Sequence, residues 1–369
     1  MGVRILKGKA MNNYLIVGTY TGGSHSDLEI TGSRGIYVYQ IEPNTNKLRF
    51  LDCCGQGQID PAFLAVKGNT IVTENERKDS LTLQSFQITG DGKMEWKDCL
   101  TATGSKCAHV CFDPVGNYLI GAGYSSGNVA VASYKENGKM ELTDLVFHKG
   151  SSIVPKRQEC PHAHSARFSP DGQELFVPDL GMDKVMNYEF QRETGKLTEN
   201  PKQPYVTTDP GEGPRHFCFH PFLPVAYLLT EIGNHIYVYQ YEKTERTLKQ
   251  IQKISVLPDG YNQVSYGAEL IVSEDGKFLY SSNRGHDSIG LFVISESSGT
   301  LKASGWFPCG GRGPRHICFG PGEKTVIVAN KESDNLAVLE RDSCTGAFGQ
   351  NYHTYSVPAP ACAALAKVE

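Results

Sequence analysis

The chain has 369 residues, 39% of them hydrophobic, with 39 Gly, 18 Tyr and a formal net charge of −4. That balance leaves no basic footprint for nucleic acid and no polybasic patch for a membrane, and no apolar run reaches the ~20 residues that span a bilayer. Its 11 cysteines, an odd number without zinc-knuckle spacing, fit a reduced, cytosolic protein rather than a disulfide framework.

Met1 to Ala10 carries basic residues but no apolar run of the signal-peptide kind. Residues 1–11 are therefore expected to form an N-terminal extension, and residues 12–369 one domain. The run Asn13 to Tyr20 reads as a strand, Gly35 to Gln40 as its alternating partner, and Leu48 to Leu51 as a third.

Further along, one pattern returns: a short strand, a Pro- or Gly-containing turn, and a second apolar strand, which is hairpin grammar. Its fullest copy is Pro161-His162-Ala163-His164-Ser165-Ala166-Arg167-Phe168-Ser169-Pro170-Asp171-Gly172. Gly213-Pro214-Arg215-His216-Phe217-Cys218-Phe219 and Gly313-Pro314-Arg315-His316-Ile317-Cys318-Phe319 are close siblings, and looser copies surround Ala108 to Gly116 and Ala268 to Gly276. The apolar anchors fall at Leu64, Phe112, Phe168, Phe219, Val272 and Phe319, about fifty residues apart. Such a period, with several short strands per unit and no helix-period segment, predicts an all-β propeller. The first unit lacks its leading strand, and Val357 to Leu365 resembles Asp60 to Val66. The two chain ends are expected to share one blade, which closes a ring of seven and removes the open edges.

In a propeller the first strand of each blade lines the channel and the second runs back beside it. Residues before the first anchor and after the second strand therefore meet at one mouth. Those slots hold Ala108, His164, Arg215, Ala268 and Arg315 before the anchors, and Glu76, Tyr124, Leu180, Glu231, Arg284 and Lys331 after the second strands. Neighbouring slots add His162, His216, Glu269, His316, Asp179, Asn283, Asn330 and Arg312. Any one of these has a structural explanation, closing a hydrogen bond between blades or meeting solvent at a loop end, and for His109, His216 and His316 that reading is favoured. The concentration of arginine is harder to explain so. Guanidinium forks match carboxylate or phosphate, and beside a Glu and a His they point to a small anionic ligand. No metal constellation stands out, the Gly-rich pieces precede strands rather than helices, and no Gly-x-Ser-x-Gly elbow is present. No cofactor is expected, and nothing in the sequence sets an oligomeric state.

The runs Tyr14-Leu15-Ile16-Val17-Gly18-Thr19-Tyr20-Thr21, Pro161-His162-Ala163-His164, Gly213-Pro214-Arg215-His216 and Ser282-Asn283-Arg284 resemble the seven-bladed propeller lactonase family over residues 12–368. That family includes 6-phosphogluconolactonases and fungal 3-carboxy-cis,cis-muconate lactonising enzymes. The resemblance implies functional roles for His164, Arg215, Glu231 and Arg284, with no cofactor. The expected activity is hydrolysis of 6-phospho-D-glucono-1,5-lactone in the pentose phosphate pathway. His164 or Glu231 would be the base, Arg215 and Arg284 would meet the developing charge, and Arg315, Lys331 or Arg312 would hold the phosphate beside His162 and Asn283. The alternative is a carboxymuconate cycloisomerase, with the same arginines clamping carboxylates. A third reading is a non-catalytic propeller that docks a protein or ligand. It calls for aromatic hot spots at the mouth, whereas Trp96 and Trp306 fall outside those slots.

Overall fold

The computed structural model describes residues 12–22, 32–43, 45–55 and 58–368. The extension expected over residues 1–11 lies outside the described residues. Seven antiparallel sheets follow one another around an axis. Their first strands touch in succession about that axis: Leu64–Lys67, Cys107–Phe112, Arg167–Phe168, Pro214–Phe219, Tyr266–Val272 and Pro314–Phe319 for blades two to seven. Blade one is shared. Its inner strand is the C-terminal Pro360–Val368, hydrogen-bonded to the N-terminal Asn12–Thr19 in a register running from Asn12↔Val368 to Thr19↔Pro360. This is the ring closure expected from the sequence. Among the described residues the only helical pieces are the 3₁₀ turns Pro321–Glu323 and Lys331–Ser333, so none is long and apolar enough to cross a membrane.

Strand position explains strand composition. The second strands Val225–Thr230 and Thr325–Asn330 are buried along their whole length because neighbouring blades cover both faces, and they read as nearly unbroken apolar runs. The outermost strand Phe348–Ser356 is exposed along most of its length and is accordingly polar. The cores are thus layers between blades. Leu15, Val17 and Tyr39 of blade one meet Ile327, Leu336 and Val338 of blade seven, so closure also buries apolar surface. The Ser-x-Asp-Gly turns owe their recurrence to one device, in which Ser169 donates to Asp171 and Ser273 to Asp275 while Gly172 and Gly276 take positive φ.

Blade four departs from the hairpin reading of its leading stretch. Only Arg167–Phe168 pairs as a strand, and the preceding His-rich segment touches the sheet at one bridge, Ala163↔Asp179. The fully buried Asp179 carboxylate replaces the missing ladder, accepting bonds from His162 N at 2.8 Å, Met182 N at 3.1 Å and His148 Nδ1 at 2.6 Å. This exchange frees His164 to lean into the mouth.

Candidate active site

The inner strands of blades five and seven each slip register at one residue, between Pro214 and His216 and between Pro314 and His316. The residues at these bulges are Arg215 and Arg315. A bulge re-aims a side chain that regular alternation would send elsewhere, and the preceding Gly213 and Gly313 provide φ of 65° and 66°. Glu231 and Arg284 stand at the ends of the adjacent second strands, Val225–Thr230 and Phe278–Arg284, at the same mouth.

These side chains converge on the Glu231 carboxylate. Its Oε2 receives Arg215 Nε at 3.0 Å and Arg284 Nη2 at 3.0 Å, with His164 Nε2 at 3.5 Å. Its Oε1 receives Arg157 Nη2. Arg215 is fixed further through Nη1 to the Ala268 carbonyl, and Arg284 through Nη2 to the Gly267 carbonyl at 3.0 Å. Among the described residues the atoms His164 Nδ1 and Arg284 Nε are buried without a hydrogen-bond partner, polar capacity that the fold does not consume.

The electrostatics follow from crowding. Burial alone would push the Glu231 carboxyl up, but Arg284, the His164 hydrogen bond and Arg215 together hold it well below the usual carboxylate range. Burial, reinforced by Arg215, lowers His164 to about 4, so its imidazole is uncharged at neutral pH. Burial and the neighbouring Arg284 bring Arg215 down to about 9.

Across the mouth, Arg315 and Lys331 both lie over the Tyr20 ring, at 5.1 and 4.7 Å from its centroid, and Tyr20 donates to Glu76 at 2.7 Å. Among the described residues neither cation has a carboxylate within ion-pair distance. Burial and repulsion from Arg315 lower Lys331 to about 8. Among the described residues arginine and lysine thus outnumber carboxylates at this mouth and leave it an excess of positive charge.

The remaining expected residues stand apart from this cluster. His162 stacks on the Tyr124 ring at 4.6 Å and donates to the Tyr124 carbonyl at 2.8 Å, which places it behind the mouth wall. Asn283 is fully buried and spends its amide on the Val256 carbonyl and Ser288. Arg312 is an exposed loop residue whose backbone N–H donates to Ser333 at 2.7 Å. Beneath the mouth, Phe63, His109, His216 and His316 pack ring against ring, and Glu269 joins His216 at 2.8 Å to His316 at 3.1 Å, linking blades five and seven. A cavity of about 870 Å³ opens beyond this plug at the opposite end of the channel, walled by Phe112, Cys218, Phe319 and Arg167. It is far roomier than the charged mouth, but the converging titratable groups are at the mouth, and chemistry locates a site better than volume. Among the described residues no group of His, Cys, Asp and Glu is arranged to hold a metal ion.

Three members of the mouth escaped the sequence reading. Arg157 lies in a connector outside the repeat, so no slot comparison reaches it. Tyr20 does occupy a repeat slot, the end of blade one's second strand, and was legible once the C-terminal strand is counted as that blade's first. Tyr266, whose ring lies 5.7 Å below both Arg157 and Arg284, precedes the slots compared.

A seven-bladed ring with a carboxylate–imidazole–guanidinium cluster at one mouth defines a propeller with a charged candidate site, and the comparisons with known proteins identify its family. The chain belongs to the seven-bladed β-propeller lactonases: the family model described as "Lactonase, 7-bladed beta-propeller" matches residues 14–365. It is similar to a 6-phosphogluconolactonase of Bacillus subtilis, 33% identical over 95% of this chain and 98% of the relative. A 6-phosphogluconolactonase of Formosa agariphila is 30% identical over 85% of this chain and 90% of the relative. Among solved structures, the periplasmic gluconolactonase of Pseudomonas aeruginosa superposes with a TM-score of 0.89 at 29% identity, covering 97% of this chain and 99% of that one. The chain is accordingly a lactone hydrolase.

Proposed function

We propose that the chain hydrolyses 6-phospho-D-glucono-1,5-lactone to 6-phosphogluconate, the lactone-opening step of the pentose phosphate pathway. The observation that carries this reading is the pair of cations, Arg315 and Lys331, standing on Tyr20 across the mouth from the Glu231 cluster with no carboxylate at ion-pair distance among the described residues. That pair suits a phosphate, and the cluster suits an ester carbonyl. Water attacks the lactone carbonyl carbon while Glu231 takes its proton, and Arg215 and Arg284 stabilise the oxyanion that forms. The bond from that carbon to the ring oxygen then breaks, the proton held by Glu231 passes through His164 to the departing oxygen, and the acid so formed loses its own proton to solvent, leaving a carboxylate and a hydroxyl. A positioned base contributes about 10²–10⁴-fold and each oxyanion donor about 10²–10³-fold.

A carboxylate depressed by arginines is a weak base. A phosphate dianion in the same mouth offsets those cations, and the basicity of Glu231 and His164 rises when substrate is present. All 11 cysteines are free thiols, which suits a reducing compartment, and we place the protein in the cytoplasm. The test is hydrolysis of freshly generated 6-phosphogluconolactone near neutral pH, coupled to 6-phosphogluconate dehydrogenase, beside Arg215→Ala checked by circular dichroism. Acceleration that the variant loses supports the assignment. A wild-type rate no faster than buffer sinks it, and carboxymuconate cyclisation becomes the next assay.

A further inference from the structure

The connector between blades three and four, residues 148–166, is the longest between any two blades whose connection is fully described. Its turn is anchored from within. Gln158, fully buried, donates through Nε2 to the Leu180 carbonyl at 2.8 Å and accepts through Oε1 from Val154 N at 3.1 Å, while Ser152 donates to Asp183 at 2.5 Å. The backbone that carries Arg157 is therefore fixed, and its side chain supplies the freedom.

Three arginines meet Glu231, but they divide its two oxygens unequally. Arg215 and Arg284 hold Oε2 and are themselves tied to carbonyls of blade six. Among the described residues Arg157 alone covers Oε1. The side chain of Arg157 is 32% exposed, against 3% for Arg215 and 17% for Arg284. It is the most exposed guanidinium of the three, and its other ties, the Tyr124 hydroxyl and the face of the Tyr266 ring 5.7 Å away, do not depend on the ion pair.

We propose that Arg157 sets the preference for an anionic over a neutral lactone: it covers the Oε1 atom of Glu231, and a substrate anion entering the mouth draws it off and uncovers that oxygen for the attacking water. The inference rests on the lactonase chemistry assigned above and adds the residue that reads substrate charge. The phosphate that Arg315 and Lys331 receive across the mouth competes through its remaining oxygens with Glu231 for the guanidinium, by the same charge-assisted hydrogen bonds. A neutral sugar lactone brings no such competitor, so Oε1 stays covered and turnover stays low.

The experiment compares wild type, Arg157→Gln and Arg157→Lys on 6-phosphogluconolactone and on unphosphorylated glucono-1,5-lactone, with native circular dichroism required of each. In Arg157→Gln, kcat/KM for the phosphorylated lactone is expected to fall about ten- to a hundred-fold, the loss of one charge-assisted contact. The rate on the neutral lactone is expected to hold or rise, and Arg157→Lys to recover part of the discrimination. An equal loss on both lactones, or no change on either, overturns the proposal. Should wild type accelerate neither lactone, the hydrolase reading fails and calorimetry decides the role of Arg157. Weakened binding of 6-phosphogluconate but not of gluconate in Arg157→Gln upholds it as the charge reader, and equal binding changes overturn it.

Discussion

Replacing Glu231 by Gln keeps shape and one acceptor but removes the charge that three guanidinium groups share. Arg157, a third exposed, relaxes toward solvent and contributes little to the loss. Arg215 and Arg284 have no such exit, since their carbonyl partners pin them in place. Removing one member of a buried ion pair costs about 3–5 kcal/mol. The retained amide acceptor and the open mouth put Glu231→Gln near the low end, at about 3 kcal/mol. An anion that binds against the same guanidinium groups at the open mouth reverses this, and a ligand at a hundred times its dissociation constant returns about 2.7 kcal/mol. Chemical unfolding of wild type and variant, with phosphate titrated against chloride at constant ionic strength, tests the reasoning. The variant should be less stable in chloride and recover most of the difference in phosphate, with turnover down about 10²–10⁴-fold. The carboxylate, held well below 4.5, contributes stability above that value and loses it as pH falls toward its folded pKa. Wild type and variant should therefore converge in acid. A variant as stable as wild type in chloride, or one that phosphate stabilises no more than it does wild type, refutes the account of the cluster.

Two further outcomes follow from burial. Lys331, lowered to about 8 from 10.5, loses its charge as pH rises through that value, so KM for the phosphorylated lactone should climb there while the neutral lactone shows no matching change; a flat KM would remove Lys331 from the phosphate seat. His164 is lowered to about 4 from 6.5, so the folded chain binds fewer protons than the unfolded one between those values and stability falls as pH drops through that window. His164→Asn should flatten that slope in pH-dependent unfolding, and an unchanged slope would show that the imidazole is not the group responsible.

What was legible in the sequence was whatever the repeat imposes. Because each blade reuses the same inner strand, second strand and turn, aligning anchors placed Arg215, Glu231, Arg284, Arg315 and Lys331 at one mouth without a structure. The same logic over-reached for Asn283, which shares the second-strand end with Arg284 but, one residue earlier on a strand of period two, faces the opposite side and closes the turn to Ser288. It over-reached for His162 because the segment ahead of Arg167 leaves the ladder, so the slot count no longer says where a side chain points. Arg157 was illegible for a different reason: a connector answers to its own hydrogen bonds, here those of Gln158, and its length carries no period to compare.

The division between the two kinds of arginine has a physical basis in that difference. A bulge in an inner strand is held by ladder pairs before and after it, here Pro214↔Thr230 and His216↔Leu229, so Arg215 is delivered at a fixed place and with little entropy left to lose, which suits a group that must meet an oxyanion without reorganising. A connector turn fixed only through Gln158 delivers its neighbour by a long side chain with several free torsions. That arrangement suits a group whose task is to exchange partners. On the proposal above, rigid cations on the repeat and a movable one on the insertion would let one carboxylate be both tightly compensated within the folded chain and accessible when an anionic lactone arrives. A neutral lactone, which the same fold accepts in the periplasmic gluconolactonase of Pseudomonas aeruginosa by that protein's name, has no charge with which to effect the exchange.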